Sequence, residues 1–257
     1  MKVVLTIAGS DSCGGAGIQA DLKTFSALGT YGMSVITAVT AQNTRGVVDI
    51  REMDEEIVEK QINYLFADIK IDAVKIGMVS NSGLIRVIAD CLKKNQAKNI
   101  VVDPVMVSKS GHHLLKPEAK DQLVKMLFPL ATVVTPNIYE AALLTGERLE
   151  NLDDMKEAAQ KILGHGCANV IIKGGHLTGD AVDVLYDGSN FMFYQGSRIE
   201  TKNTHGTGCT FSSAIAAYLA RGCTLPEAIG LAKEYINTAI AHSIELGHGY
   251  GPTHHFY

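Results

Sequence analysis

The sequence predicts an α/β fold, with a central, mostly parallel sheet, helices on both faces and a small β-hairpin insertion. Three observations carry that prediction. Short apolar runs alternate with segments of helical period along almost the whole chain. The runs are nearly continuous in Val, Ile, Leu and Ala, as strands covered on both faces must be. A loop rich in Gly, Ser, Thr or Asn follows each run, and in such sheets ligands bind beyond the carboxyl ends of the strands.

The elements follow in order. "KVVLTIA" (2–8) is the first strand, and "IQADLKTFSALG" (18–29) places Ile18, Leu22, Phe25 and Leu28 on one helical face. "SVITAVTA" (34–41) precedes the helix "DEEIVEKQINYLFADI" (54–69), with Asp54 as N-cap and acids in its first turn. "DAVKIG" (72–77) precedes "GLIRVIADCLKKN" (83–95), and "NIVVDPV" (99–105) precedes "PEAKDQLVKMLF" (117–128). "ATVVTPN" (131–137) leads into the short helix "YEAALLTG". After "NVIIKGG" (169–175), Asp187-Gly188 marks a hairpin turn within "AVDVLYDGSNFMFYQG". Helices at 207–221 and 225–246 close the series. No linker, repeat or low-complexity tract divides the chain, so residues 1–257 are expected to form one domain.

Composition excludes several classes of function. Net charge is 23 − 27 = −4 with no Lys/Arg cluster, which gives no footing to non-specific nucleic-acid binding. No apolar run approaches the ~18 residues of a membrane span. Five cysteines, odd in number and without a C-x-x-C pair, argue against a disulfide framework or zinc site and favour a reducing cytoplasm. Cys13, Cys91, Cys167 and Cys223 read as packing residues. Residues 1–8 run into glycines without a cleavage pattern and read as a strand, not a secretion signal.

The loops carry the chemistry. "AGSDSCGGAGIQAD" (8–21) sets glycines before a helix, where free amides can face an anion or small ligand, or simply form a flexible turn. It is neither the dinucleotide fingerprint nor the P-loop. Asp103 ends one strand, and Asn137 and Glu140 stand three apart at a helix start, so both can face one spot. An amide with carboxylates suits Mg²⁺ arriving with phosphates; the same Asn137/Glu140 spacing also suits a plain capping box. Lys173 at a strand end beside two glycines suits a nucleotide phosphate tail, or is a solvated lysine. Lys233 lies mid-helix and is more ambiguous, and His176 and His205 adjoin glycine motifs that suit phosphates.

In "NTHGTGCTFSSA" (203–214) the glycines allow a tight turn, and the helix start aims its amides at the loop, where a transferring phosphoryl group would be stabilised. The same positive end predicts a lowered pKa for Cys209, which could then act as a base or a covalent nucleophile. Packing at a crowded helix start is the plainer alternative.

Together "IAGSDSCGGAGIQADLKTFSALGTYG", "TAVTAQNTRGV", "KIGM", "VVDPVMVSKSG", "VTPNIYEA", "KGGH" and "THGTGCTFSSAIAA" resemble the hydroxymethylpyrimidine/phosphomethylpyrimidine kinases of thiamine biosynthesis, in the ribokinase superfamily. The resemblance spans nearly the whole chain. It implies a ribokinase-like fold and ATP-dependent phosphorylation of an aminopyrimidine alcohol, then of its monophosphate. By resemblance Gln42 hydrogen-bonds the aminopyrimidine, and Gly9, Ala16, Met78 and Val105 line its pocket. Asp103 and Glu140 serve Mg²⁺, while Asn137, Lys173, Thr204 and Lys233 meet ATP. Gly206, Thr207 and Gly208 form the anion hole, and Cys209 is the catalytic base. The resemblance also implies a homodimer, although no interface patch is legible. Sugar kinases of the superfamily carry Asp where this chain has Cys209, within a D-T-x-G-A-G-D pattern whose first Asp is here Asn203; cysteine is usual in the pyrimidine kinases. A vitamin B6 kinase of the same branch is the nearest alternative. A cysteine acyl-transferase would leave Asp103, Glu140 and Lys173 unexplained, and an idle pyrimidine-binding protein would not need them.

Overall fold

The computed structural model describes residues 1–107, 111, 114–175 and 181–257. Its strands are β1 (Val3–Asp11), β2 (Tyr31–Asn43), β3 (Gly46–Glu52), β4 (Ala73–Ile76), β5 (Ile100–Val102), β6 (Val133–Val134), β7 (Val170–Ile172), β8 (Ala181–Tyr186) and β9 (Phe191–Gly196). Its helices are α1 (Gly17–Ala27), α2 (Glu55–Asp68), α3 (Ser82–Lys94), α4 (Lys120–Gln122), α5 (Ile138–Thr145), α6 (Leu152–Leu163), α7 (Thr207–Ala220) and α8 (Leu225–Ala241). One sheet runs in the order β3-β2-β1-β4-β5-β6-β7-β8-β9. The strands from β2 to β7 are parallel, β3 is antiparallel to β2 at one edge, and β8 and β9 are antiparallel at the other.

Alternate residues of the central strands feed two apolar cores. Val4, Ala73, Val101, Val133 and Ile171 pack with Phe25 of α1 and the small residues of α7 and α8. Leu5, Ile7, Val74, Ile76, Val102, Val134 and Ile172 face α2, α3 and α6 through Val58, Ile62, Ile88 and Ile162. Burial on both faces is why the strands read as unbroken apolar runs. Asp54 caps α2 as expected, accepting from the Ile57 amide at 2.8 Å. Among the described residues, no helix is long and apolar enough to cross a membrane.

The expected hairpin is present, β8 and β9 turning at Gly188 with φ 94° and extending the main sheet at its edge. Three other expectations change. Residues 117–128 are not one helix; a single α turn gives way to a π turn at Leu123–Leu127, then a 3₁₀ turn at Phe128–Leu130. Pro129, which lacks the amide an α-helix needs, sits inside that last turn. The last helix stops at Ala241 instead of 246, ahead of Gly247, Gly249 and Pro252. β3 and α6 were not anticipated. For α6 a signal existed, since Asn151 and Asp154 form a capping box ahead of the buried face of Met155, Ala158, Ala159 and Ile162.

The register sets up the site. Ile76 pairs with Val102, and Val102 with Val134, so the residues after them emerge side by side at one edge of the sheet.

Candidate active site

Asp103 follows β5, Thr135 follows β6 and Lys173 follows β7, and the three converge. Lys173 Nζ lies 2.8 Å from Asp103 Oδ1, which also accepts from Thr135 Oγ1 at 3.1 Å. Asp103 Oδ2 accepts from Ser212 Oγ of α7 at 3.2 Å. Burial alone would raise the Asp103 carboxyl, but Lys173, Lys75 and these hydrogen bonds hold it below the usual carboxylate range. Lys173 is therefore a half-buried, charge-paired cation at the strand ends, and the solvated-lysine alternative falls. Its proposed companions Asn137 and Glu140 start α5. Each completes the other's hydrogen bonding in a capping box, with Asn137 Oδ1 receiving the Glu140 amide at 2.9 Å and Glu140 Oε2 receiving the Asn137 amide at 2.8 Å. The capping alternative is thus realised, yet it does not exhaust Glu140. Burial, and then the charge of Asp103, push its carboxyl up to about 7 against the pull of Lys173. Excess buried negative charge beside oxygen-only donors fits a hard cation that keeps some of its waters.

The start of α7 faces this cluster. Gly206 adopts φ 81°, a left-handed conformation open to glycine, and a Cβ there would collide with the carbonyl of Gly15. A Cβ on Gly208 would lie 3.5 Å from Lys173 Nζ and 3.7 Å from Asp103 Oδ2, so that face of the turn looks onto the charged cluster. No side chain caps α7, which leaves the first-turn amides after that of Thr207 for an anionic ligand. The Thr204 carbonyl receives the Thr207 amide at 3.4 Å and holds the loop at the mouth of this turn.

Cys209 does not carry the lowered pKa that its helix position predicts. Burial pushes the thiol up to about 11, with Asp21 and Asp103 adding to the rise. Lys75 and the Gly17 amide pull the other way without overcoming it. Desolvation of a thiolate here outweighs the helix end, so the thiol is protonated at neutral pH.

A second group lies on the other side of the glycine loops. Gln42, near the end of β2, is fixed through its backbone, which exchanges hydrogen bonds with Ser12 Oγ at 2.8 and 2.9 Å. Its Nε2 lies 3.4 Å from His205 Nε2, and His205 in turn lies 2.8 Å from Asp11 Oδ2. His205 is therefore turned toward the Gln42 side and away from the Lys173 cluster. A Cβ on Gly9 would lie 3.2 Å from Met78 Sδ, and Ala16 donates its amide to Asp11 Oδ2 at 2.8 Å. Val105 is half-buried and donates its amide to the Asp103 carbonyl at 2.8 Å. Of the expected acceptor residues, Ala16 and Gln42 thus gather about the Asp11–His205 pair and Gly9 abuts Met78, whereas Val105 stands beside Asp103. Lys233 points elsewhere: it pairs with buried Asp183 at 2.7 Å, and Asp183 also accepts from the Gly174 amide at 2.9 Å. It braces the Gly174 loop from behind. His176 lies outside the described residues.

Sequence reasoning missed Asp11, Asp21 and Lys75. Asp11 closes the glycine loop, accepting from the amides of Cys13, Gly15 and Ala16. Lys75 had a visible signal, a single charge inside the apolar strand "DAVKIG". It also missed the C-terminal stretch, which holds the α7 loop through Pro252 against His205 and His255 on Thr210 Oγ1 at 3.0 Å.

A family model described as phosphomethylpyrimidine kinase matches residues 11–254. The hydroxymethylpyrimidine/phosphomethylpyrimidine kinase of Rhizobium meliloti is 53% identical, with 99% of this chain and 97% of that protein covered. The crystal structure of phosphomethylpyrimidine kinase from Clostridium difficile is 55% identical with a TM-score of 0.84, covering 93% of this chain and 100% of that one. An ADP complex of Bacillus subtilis pyridoxal kinase is 45% identical with a TM-score of 0.93, covering 99% of this chain and 97% of that one.

Proposed function

The chain belongs to the phosphomethylpyrimidine kinase family, and on that footing we propose that it makes the pyrimidine diphosphate used in thiamine biosynthesis. It transfers the γ-phosphoryl group of ATP to the hydroxymethyl oxygen of 4-amino-5-hydroxymethyl-2-methylpyrimidine, and then phosphorylates the monophosphate. The observation that carries the reading is the uncapped start of α7. Its turn looks onto Lys173 and Asp103 on one side, and its loop meets Gln42 through His205 on the other.

Gln42 presents a donor and an acceptor, which suits an aminopyrimidine edge. Lys173 and the first-turn amides of α7 hold the phosphates and offset charge on the moving phosphoryl group. Asp103 and Glu140 would hold Mg²⁺, which when bound neutralises phosphate charge. Cys209 accepts the proton of the attacking hydroxyl, so only its thiolate fraction is competent for the first step. In the second step the acceptor is already an anion and needs no such base. Lys233 acts on ATP through Asp183 and the Gly174 loop. The reading also carries a cytoplasmic homodimer and a single kinase domain over 1–257, the last supported by the one sheet that the described strands form.

³¹P NMR of a reaction holding ATP, Mg²⁺ and the pyrimidine alcohol tests the reading. A pyrimidine monophosphate signal giving way to a diphosphate is expected, and ATP left intact overturns it. The likeness to a pyridoxal kinase favours vitamin B6 aldehydes or alcohols as the second reading. A kcat/KM higher for pyridoxal or pyridoxine than for the aminopyrimidine would make that the main activity.

A further inference from the structure

Below the thiol lies a buried charge pair that makes no hydrogen bond to the Lys173–Asp103 cluster. Lys75, on β4, is 0% exposed, and its Nζ donates to both carboxylate oxygens of Asp21 at 2.9 Å. Thr6 of β1 and Ser213 of α7 each donate to the same carboxylate at 2.6 Å. The spacing is informative. Ser213 is four residues beyond Cys209 on α7, and Asp21 is four beyond Gly17 on α1, so each pair is stacked one turn apart. The Gly17 amide bears on the Cys209 thiol at the upper level, lowering its pKa, and Ser213 meets Asp21 at the lower. Lys75 rises from the sheet beneath both helix starts, near enough for its charge and that of Cys209 to act on each other. Gly77 is part of this arrangement, because a Cβ there would lie 2.7 Å from Lys75 Nζ.

Stability does not explain the pair, since apolar residues commonly replace a buried ion pair at no loss. We infer that Asp21 and Lys75 are positioning residues for Cys209: Lys75 supplies the positive charge that steadies the thiolate as it takes the hydroxyl proton, and Asp21 anchors Lys75 and tempers that charge. The inference rests on the reading of Cys209 as base. The charged groups that face the thiol are Lys75 from β4, Asp21 from α1, Asp103 beyond β5 and Lys173 beyond β7. The last two belong to the phosphate and cation cluster; Lys75 also lowers Asp103, but its hydrogen bonds go to Asp21.

The test is the rate of Cys209 alkylation by iodoacetamide at pH 8.5, followed peptide by peptide by mass spectrometry on the whole enzyme, alongside kcat and KM. Below its midpoint a thiol is alkylated in proportion to its thiolate fraction. Loss of a neighbouring opposite charge raises a pKa by about 1 unit or more, so Lys75→Met should slow alkylation roughly tenfold. It should lower kcat for the alcohol by a similar factor and leave KM within about twofold. Asp21→Asn retains partners for Thr6 and Ser213 and leaves Lys75 untempered, so alkylation should speed up. Opposite signs are the signature, because a purely structural role moves both variants the same way or neither. If Lys75→Met does not fold, Asp21→Asn decides alone: faster alkylation supports the inference, and an unchanged or slower rate overturns it. Alkylation rates that shift as expected while kcat and its pH profile stay put would overturn the catalytic role and trace the failure to Cys209, not to the pair.

Discussion

Glu140 offers the sharpest test of the cluster, because one substitution separates its charge from its shape. In Glu140→Gln the side chain still accepts the Asn137 amide through Oε1, so the capping box survives. What disappears is a buried carboxyl whose pKa rises from 4.5 to about 7, first through burial and then through Asp103. Because the folded value lies above the unfolded one, the neutral acid is favoured in the folded chain. That contribution is complete below about 4.5 and is lost as pH rises through about 7. A rise from 4.5 to about 7, at 1.36 kcal/mol per unit, bounds the loss at about 3 kcal/mol. Without Mg²⁺ or nucleotide, Glu140→Gln should therefore gain on the wild type between pH 5 and pH 8.5. At roughly 2–4 °C per kcal/mol for a chain of this size, the difference in Tm should widen by about 5–10 °C. Differential scanning fluorimetry in EDTA at the two pH values reads it directly. A gap that is the same at both would refute the account of a carboxyl strained by burial, and would return Glu140 to plain capping. The activity should move the other way, with kcat/KM falling at least tenfold at pH 8 as the cation loses a charged partner.

The remaining predictions address the moving groups. Because burial holds the Cys209 thiol near 11, the rate of the first phosphorylation should climb by close to tenfold per pH unit between 6.5 and 8.5, while the second stays nearly flat; quenched-flow assays showing parallel profiles would remove Cys209 as the base. Cys209→Ala should cut the first step at least a hundredfold at pH 8 and the second much less, and a fold-intact variant with near-normal turnover of the alcohol would make the thiol a packing residue. Gln42→Ala should raise KM for the pyrimidine about five- to tenfold, the worth of one neutral hydrogen bond, with kcat little changed; steady-state kinetics decide. Gly206→Ala must adopt φ 81° and part the loop from the Gly15 carbonyl, so a loss of at least about 2 kcal/mol in urea unfolding is expected, and an unperturbed variant would mean that the two glycine loops do not abut.

Much of the site was legible because it is made from backbone. Glycines before a helix, an aspartate and a lysine at strand ends, and an asparagine opening a helix are local patterns. A parallel sheet then gathers them at one edge whatever the intervening sequence. The Asp103–Lys173 contact across 70 residues follows from strand order alone. β3 was harder to see, since it is an edge strand with most of its side chains exposed and so lacks the continuous apolar run by which the inner strands were found. The helix expected at 117–128 failed for a different reason: its period is helical, but Pro129 and the turn into β6 force the ladder through π and 3₁₀ turns. Asn137 and Glu140 show that one spacing can satisfy two readings together, for the capping box that holds them also holds their charge beside Asp103 and Lys173.

Cys209 marks where such reading stops. A cysteine at a helix start suggests a thiolate, because the helix end is the only part of its surroundings that the local sequence displays. The rest comes from Gly17 and Asp21 of α1, Lys75 of β4 and Asp103 beyond β5, which are far apart in sequence and enter with opposite signs. Burial is larger than any of them, and it depends on how closely the glycine loops of α1 and α7 approach each other. A pKa that is a small difference between such opposing contributions cannot be recovered from a motif. The sequence does show that something must offset the cost, since a lysine inside an apolar strand has no reason to be there without a buried partner. The structure supplies that partner in Asp21 and sets the pair beneath the thiol. An odd charge in a strand and an odd thiol at a helix start, 134 positions apart by number (209 − 75), are two ends of one arrangement. On this view an aspartate at position 209, as in the sugar kinases, would ionise without help and would have less use for a cation beneath it, whereas a thiol needs one.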